Sequence, residues 1–139
     1  MKPLVVDAGV LVSAADASDA FSAASRAFLD RVAARSVSVD LPAHARLELS
    51  CALARRVRRR DVARRLADGV MRAFRVTEHA LDAALIEEAV QQGTKHFLRA
   101  GDALYAALAE RLDATLVTWD AELLERAGGV SPQQWEPER

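Results

Sequence analysis

The chain has 139 residues, enough for one domain and too few for two, and half of them are hydrophobic, so a real core can form. Nineteen basic and 20 acidic side chains leave a formal net charge of −1, which excludes a generally polybasic protein but not a local basic patch. Cys51 is the only cysteine, which excludes an internal disulfide and a cysteine-based metal site.

Residues 3–7 read as a strand entering a turn, because Leu4-Val5-Val6 is an unbroken apolar run closed by Asp7. A helix is expected over 19–34, capped by Ser18 or Asp19, with Phe21, Ala24, Phe28 and Val32 on one face. Val37, Val39 and Leu41 alternate with Ser38 and Asp40, a short strand ended by Pro42. A long helix from about His44 to Arg59 carries Leu49, Leu53 and Val57 every fourth residue, with Leu47 and Ala54 beside them; Cys51 is expected as a small core residue there. Asp61 caps the next helix, Asp61–Phe74, with Val62, Leu66 and Val70 inward, and Phe74–Val76 is compatible with a short strand. Thr77 then caps a helix to Gln92, with Leu81, Leu85 and Ala89 inward and Gly93 as its C-terminal stop. Residues 94–101 read as a loop before the helix Asp102–Leu112. Thr115–Thr118 is a strand, Ala121–Ala127 a short helix, and the polar segment 130–139 a partly frayed end of the single domain 1–139. Strands alternating with helices predict an α/β fold, a parallel sheet with helices on its faces.

No apolar stretch approaches membrane-spanning length, and the N-terminal apolar run is too short for a signal peptide. A soluble cytoplasmic protein with no membrane partner is the expectation.

Four acids stand where this layout could bring them together. Asp7 and Asp120 follow apolar strands, at the carboxyl ends where open α/β sheets place their ligands. Asp102 opens an apolar helix, where an acid suits the helix dipole. Glu48, between Leu47 and Leu49, would on its own be read as the solvent side of an amphipathic helix. Asp7 and Asp102 each have an ordinary capping explanation as well. A carboxylate cluster without counter-charge repels itself, and its usual purpose is to hold a divalent cation. Tyr105, one turn beyond Asp102, hints at a cleft, and Thr118 shares a strand face with Asp120. His44, His79 and His96 show no metal spacing, so zinc is disfavoured, and surface or capping roles are expected for them. The run Arg55-Arg56-Val57-Arg58-Arg59-Arg60, continued by Arg64-Arg65, reads as a solvated helix end, a phosphate-tracking surface or a dock for an acidic partner.

The order strand–Asp, helix–Glu, helix-start–Asp, strand–Asp is more specific than any member. The segments LVVDAGVLVSA, PAHARLELSCAL, AGDALYAALAERL and TLVTWDAELL resemble the four motifs of PIN-domain ribonucleases, most closely the VapC toxins of toxin–antitoxin pairs. The resemblance spans Leu4 to about Leu124. It implies a three-layer α/β/α fold with a mainly parallel twisted sheet, and Asp7, Glu48, Asp102 and Asp120 as catalytic and metal-site acids for Mg²⁺ or Mn²⁺. It further implies Thr118 as a supporting hydroxyl, an RNA substrate, a VapB-type antitoxin partner and a homodimer. Arg55, Arg56, Arg58 and Arg59 are the candidate RNA contacts. The chain departs from the pattern at Gly9, where the family usually has Ser, Thr or Asn; water, Thr118 or Ser13 are the available substitutes. Two other readings stand beside the metal-dependent endoribonuclease. One is a catalytically weak or inactive PIN-fold module that holds RNA. The other is a phosphatase with an Asp nucleophile, which lacks its usual second acid because Gly9 stands there.

Overall fold

A strand that is apolar on both faces is stable only between two layers, and Leu4, Val5 and Val6 are fully buried. In the computed structural model, which describes residues 1–138, they form β1 (Leu4–Val6) at the inside of a sheet. Its neighbours are β2 (Ser38–Pro42) and β4 (Thr115–Val117), and β3 (Arg75–His79) pairs with β2. All pairs are parallel, in the order β3-β2-β1-β4, and helices flank the sheet as expected. The order reverses between β1 and β4, so the crevice beyond their carboxyl ends is a topological switch point. Seven helices complete the described fold: α1 (Ala8–Ala15), α2 (Ser22–Ala34), α3 (His44–Val57), α4 (Arg60–Arg72), α5 (Ala83–His96), α6 (Ala100–Arg111) and α7 (Ala121–Arg126).

Two of these helices belong to the interior. In α6 every residue from Ala103 to Ala109 is buried, and in α1 every residue but Gly9 is. The sequence reading took the chain after Asp7 as a turn. A helix apolar all round carries no 3.6-residue stripe, so periodicity cannot reveal it.

Other boundaries differ for local reasons. The second helix starts at Ser22, not beside Ser18 or Asp19, because the Asp19 carboxylate accepts from Phe21 N at 2.8 Å and holds a turn there. Arg58 adopts a left-handed φ of 59°, which ends α3 at Val57; Arg59, not Asp61, is the N-cap of α4. Thr77 lies inside β3. Asp82 caps the following helix instead, accepting from Leu85 N at 2.8 Å. Gly93 does not stop α5, which runs on to His96 and closes at Phe97. Gly93 lies instead at a close helix crossing, where an added Cβ would stand 3.1 Å from the Ala103 Cβ of α6. The expected loop 94–101 therefore shrinks to the three residues 97–99. Cys51 is exposed, since Leu49 and Leu53 take the buried stripe of α3 and Cys51 lies two residues from each; Leu47 is exposed for the same reason. The polar tail is anchored rather than frayed as far as Trp135, which is buried edge-on against Phe28 while Arg31 donates to the Pro132 carbonyl at 2.7 Å. Arg139, the last residue of that expected segment, lies outside the described residues.

Candidate active site

The register of β1 on β4 pairs Val6 with Val117, which brings Asp7 beside Thr118. Asp7 N donates to the Val117 carbonyl at 3.0 Å, extending the ladder one step. The fully buried Thr118 hydroxyl donates to Asp7 Oδ2 at 2.8 Å and accepts from Asp120 N at 2.9 Å. One hydroxyl thus ties together the ends of two strands. Asp7 is also the N-cap of α1, accepting from Gly9 N at 3.4 Å, and Asp120 is the N-cap of α7, accepting from Glu122 N and Leu123 N. Both residues therefore cap a helix while standing side by side at the carboxyl edge of the sheet.

Glu48 is held from two sides. The Tyr105 hydroxyl donates to Glu48 Oε1 at 2.8 Å, and His44 Nε2 lies 3.2 Å from that oxygen and 3.2 Å from the Gly101 carbonyl. Gly101 makes this approach feasible, because a Cβ there would stand 3.2 Å from Glu48 Oε2. The buried His44 Nδ1 has no hydrogen-bond partner among the described residues.

Asp102, Asp120 and Glu122 form the tightest acidic group, with one carboxylate oxygen of each within 4.8 Å of the others. Arg99 bridges two of them. Its Nε donates to Asp102 Oδ2 at 3.3 Å and its Nη2 to Asp120 Oδ2 at 2.9 Å. Burial pushes the Asp7 carboxyl up to about 6, against the bonds from Thr118 and Gly9 and with help from the charges of Asp102 and Glu48. Burial, then the charge of Asp120, raises Asp102 as well, with Arg99 opposing and Glu48 adding to the rise. Burial and then Glu48 keep the Tyr105 phenol protonated far above its ordinary range. Thr118 links Asp7 to Asp120, Arg99 links Asp120 to Asp102, and Glu48 lies against Gly101 next to Asp102, so the four expected acids border one region. The set is oxygen-only and strained by like charge, and such a set fits a hard divalent cation.

The PIN domain family model matches residues 4–129. The chain belongs to the PIN domain family. Among solved structures, this PIN domain is similar to PAE2754 of Pyrobaculum aerophilum, at 26% identity and a TM-score of 0.69 over 94% of this chain and 83% of that one. It is also similar to VapC20 of Mycobacterium tuberculosis, described as a sarcin–ricin loop cleaving toxin, at 22% identity and a TM-score of 0.74 over 91% and 96%. VapBC2 of Rickettsia felis, solved on a DNA fragment from its promoter, matches at 14% identity and a TM-score of 0.71 over 92% and 96%. No curated protein matches the chain.

Three residues of this PIN domain's site escaped the sequence reading. His44 was assigned a surface or capping role, yet it braces Glu48. Its spacing of four residues from Glu48 on one helix was the available signal. Arg99 and Glu122 flank expected acids at three and two residues, and charged neighbours of that kind are too common to single out. Some expectations fall away from the site. Ser13 cannot stand in for the missing hydroxyl at Gly9, since it bonds Ser25 and the Val10 carbonyl; Thr118 supplies it. His79, expected outside the site, pairs with Asp40 at 2.7 Å. In the arginine run, Arg56 is committed to Asp16 and Asp19, and Arg59 lies 3.4 Å from Asp61. Arg55 and Arg58 are exposed. Arg55 sits seven residues beyond Glu48, roughly 10 Å along the helix axis.

Proposed function

We propose that this PIN domain is a divalent-metal-dependent endoribonuclease and the toxin of a toxin–antitoxin pair. The observation that carries the reading is the convergence of Asp7, Glu48, Asp102 and Asp120 at the switch point, with Asp7 raised to about 6 by burial and by its acidic neighbours. PIN domains are nucleases, and a cleft whose acids outnumber its one bridging arginine, Arg99, repels a phosphodiester unless a cation offsets that charge.

Asp7 and Asp102 would be the principal ligands of Mg²⁺ or Mn²⁺, with Glu48, Asp120 and the additional Glu122 completing the set. A bound ion of this kind lowers the pKa of its water and withdraws charge from a phosphate oxygen. The chain's own residues do the rest. Thr118 fixes the Asp7 carboxylate and opposes its protonation. Tyr105 and His44 fix Glu48 so that its remaining oxygen, Oε2, is presented at Gly101. Asp102 lies in the first turn of α6, where the helix dipole favours the ionised form.

VapBC2 and a toxin–antitoxin complex from Klebsiella pneumoniae are among the structures of this fold, which supports a VapB-type antitoxin as partner. The groove between α3 and α4 offers it Ala43, Leu47, Ala67 and Met71 with Arg46 and Arg72 at the rim. The exposed Ile86, Val90 and Phe97 around α5 offer a surface for a homodimer. Of the arginine run, Arg55 and Arg58 remain as RNA contacts. The test is cleavage of an RNA oligonucleotide by the purified chain with Mg²⁺ or Mn²⁺ and its loss with EDTA. An RNA-holding module without catalysis, the reading that Gly9 favours, would bind the oligonucleotide and leave it intact under the same conditions.

A further inference from the structure

Arg99 is the N-cap residue of α6, with an extended backbone (φ −69°, ψ 155°). That side chain is 73% exposed, yet it bridges two carboxylates from different elements. It contacts Oδ2 of Asp102 and Oδ2 of Asp120, two of the three carboxylates whose oxygens lie close enough together to hold a divalent cation. A guanidinium is diffuse and weakly hydrated and carries one charge. A divalent ion concentrates two charges and takes carboxylate oxygens at roughly 2.1 Å. Both would draw on the same two carboxylates, so a bound ion would compete with the guanidinium for them.

The displaced arm stays tethered at the rim. Its exposure means that swinging outward forfeits little packing. Five carboxylates face the approaching RNA there, namely Asp7, Glu48, Asp102, Asp120 and Glu122, and one divalent ion offsets two of those charges. Arg126, another cation at this rim, is held by the Phe97 carbonyl at 3.0 Å and lies 3.7 Å from Glu122. The fork geometry of a free guanidinium matches two oxygens of a phosphate. We propose that Arg99 is a two-position catalytic residue: it neutralises Asp102 and Asp120 before a cation binds, yields them to the ion, and then contacts the non-bridging oxygens of the scissile phosphate. This rests on the ribonuclease reading above.

The test uses the full chain and two variants, Arg99→Ala and Arg99→Lys, with Mn²⁺ as the probe. Calorimetric titration should show Arg99→Ala binding Mn²⁺ more tightly than wild type, by about 2- to 5-fold if the competing pair resembles an exposed one in strength. At Mn²⁺ concentrations saturating for each protein, single-turnover RNA cleavage should fall by about 10²-fold or more in Arg99→Ala. Arg99→Lys, which keeps the charge without the fork, should lie between on both measurements. If Arg99 is merely a staple between α6 and α7, Arg99→Ala will melt earlier and bind Mn²⁺ no better than wild type, and the proposal is overturned. Unchanged cleavage overturns the phosphate contact. A wild type that cleaves no RNA at any Mn²⁺ concentration sinks the ribonuclease reading and the phosphate contact together, whereas the Mn²⁺ titration still decides whether Arg99 competes with the ion.

Discussion

Arg56 and Arg99 each bridge two aspartates, Asp16 with Asp19 in one case and Asp102 with Asp120 in the other. In the first cluster the acids are fully served. Asp16 also accepts from the Ser18 hydroxyl and backbone, and Asp19 from Phe21 N. The Ser18 hydroxyl and then Arg56 hold Asp16 below the usual carboxylate range. In the second cluster burial and neighbouring acids outweigh the same kind of arginine, and Asp102 is raised. The residue types are nearly identical. What differs is Asp102, which is partly buried among other acids with Arg99 as its one side-chain donor, whereas Asp16 has three donors; that difference separates a joint in the fold from a site that still has bonding capacity for a ligand.

The largest expected effect falls on the second cluster. Asp102→Asn and Asp7→Asn should each lower RNA cleavage by about 10³-fold, since each removes a charge on which a bound cation depends. Stability should move the other way for Asp7. Its folded value of about 6 lies above the ordinary 3.8, so its contribution to stability is fully present below about pH 4 and lost as pH rises through 6. That loss is about 3 kcal/mol for the metal-free protein at pH 7. Asp7→Asn should escape it, and melting the metal-free proteins between pH 4 and 8 measures the difference. The Asp16 cluster has the opposite sign. A depressed value contributes stability above the unfolded pKa, lost as pH falls through the folded one. Equal pH responses for Asp7→Asn and wild type would erase the contrast between the clusters.

His44→Gln and Tyr105→Phe leave the acids in place and loosen Glu48. By analogy with partners that orient metal ligands, each should lower cleavage or Mn²⁺ affinity by about 10- to 100-fold. Arg56→Ala is the counter-experiment on the first cluster. It should cost about 1 kcal/mol of stability, discounted for its exposure to solvent, and leave cleavage per folded molecule unchanged. A large loss of cleavage without a loss of stability would return Arg56 to the RNA-binding surface.

The two clusters were unequally legible in the sequence. Asp7 follows an unbroken apolar run and Asp120 a short strand centred on Leu116-Val117, and buried parallel strands advertise themselves that way. Glu48 was legible only through the order of motifs, because Leu47 and Leu49 beside it make a solvated helix face the ordinary reading. Arg99 and His44 were not legible, since their roles arise from contacts across the fold: His44 meets Gly101 over 57 residues of chain. The helix after Asp7 was hidden by being apolar all round. The strand Arg75–His79 was misread at Thr77 because threonine suits both a strand and a cap, and an edge strand with mostly exposed side chains shows no alternation.

Gly9 is where the chain departs from the motif it otherwise resembles, and it offers the mildest probe of the comparison. An added Cβ would meet only Asp7 Oδ2, at 3.7 Å, an ordinary contact. Gly9→Ser therefore fits without strain in the first turn of α1. Serine in place of glycine favours the helix by about 0.5 kcal/mol. Its hydroxyl would add a donor beside Asp7 and move this acid one step towards the well-served state of Asp16. A hydrogen bond to the ionised carboxylate lowers its pKa, so the rise of Mn²⁺ affinity with pH should move to lower pH and the affinity should increase by a few-fold, on the order of one modest hydrogen bond. A pH dependence of Mn²⁺ affinity unchanged from wild type would show that Thr118 already saturates the bonding of Asp7, and that the glycine at this position costs the site nothing.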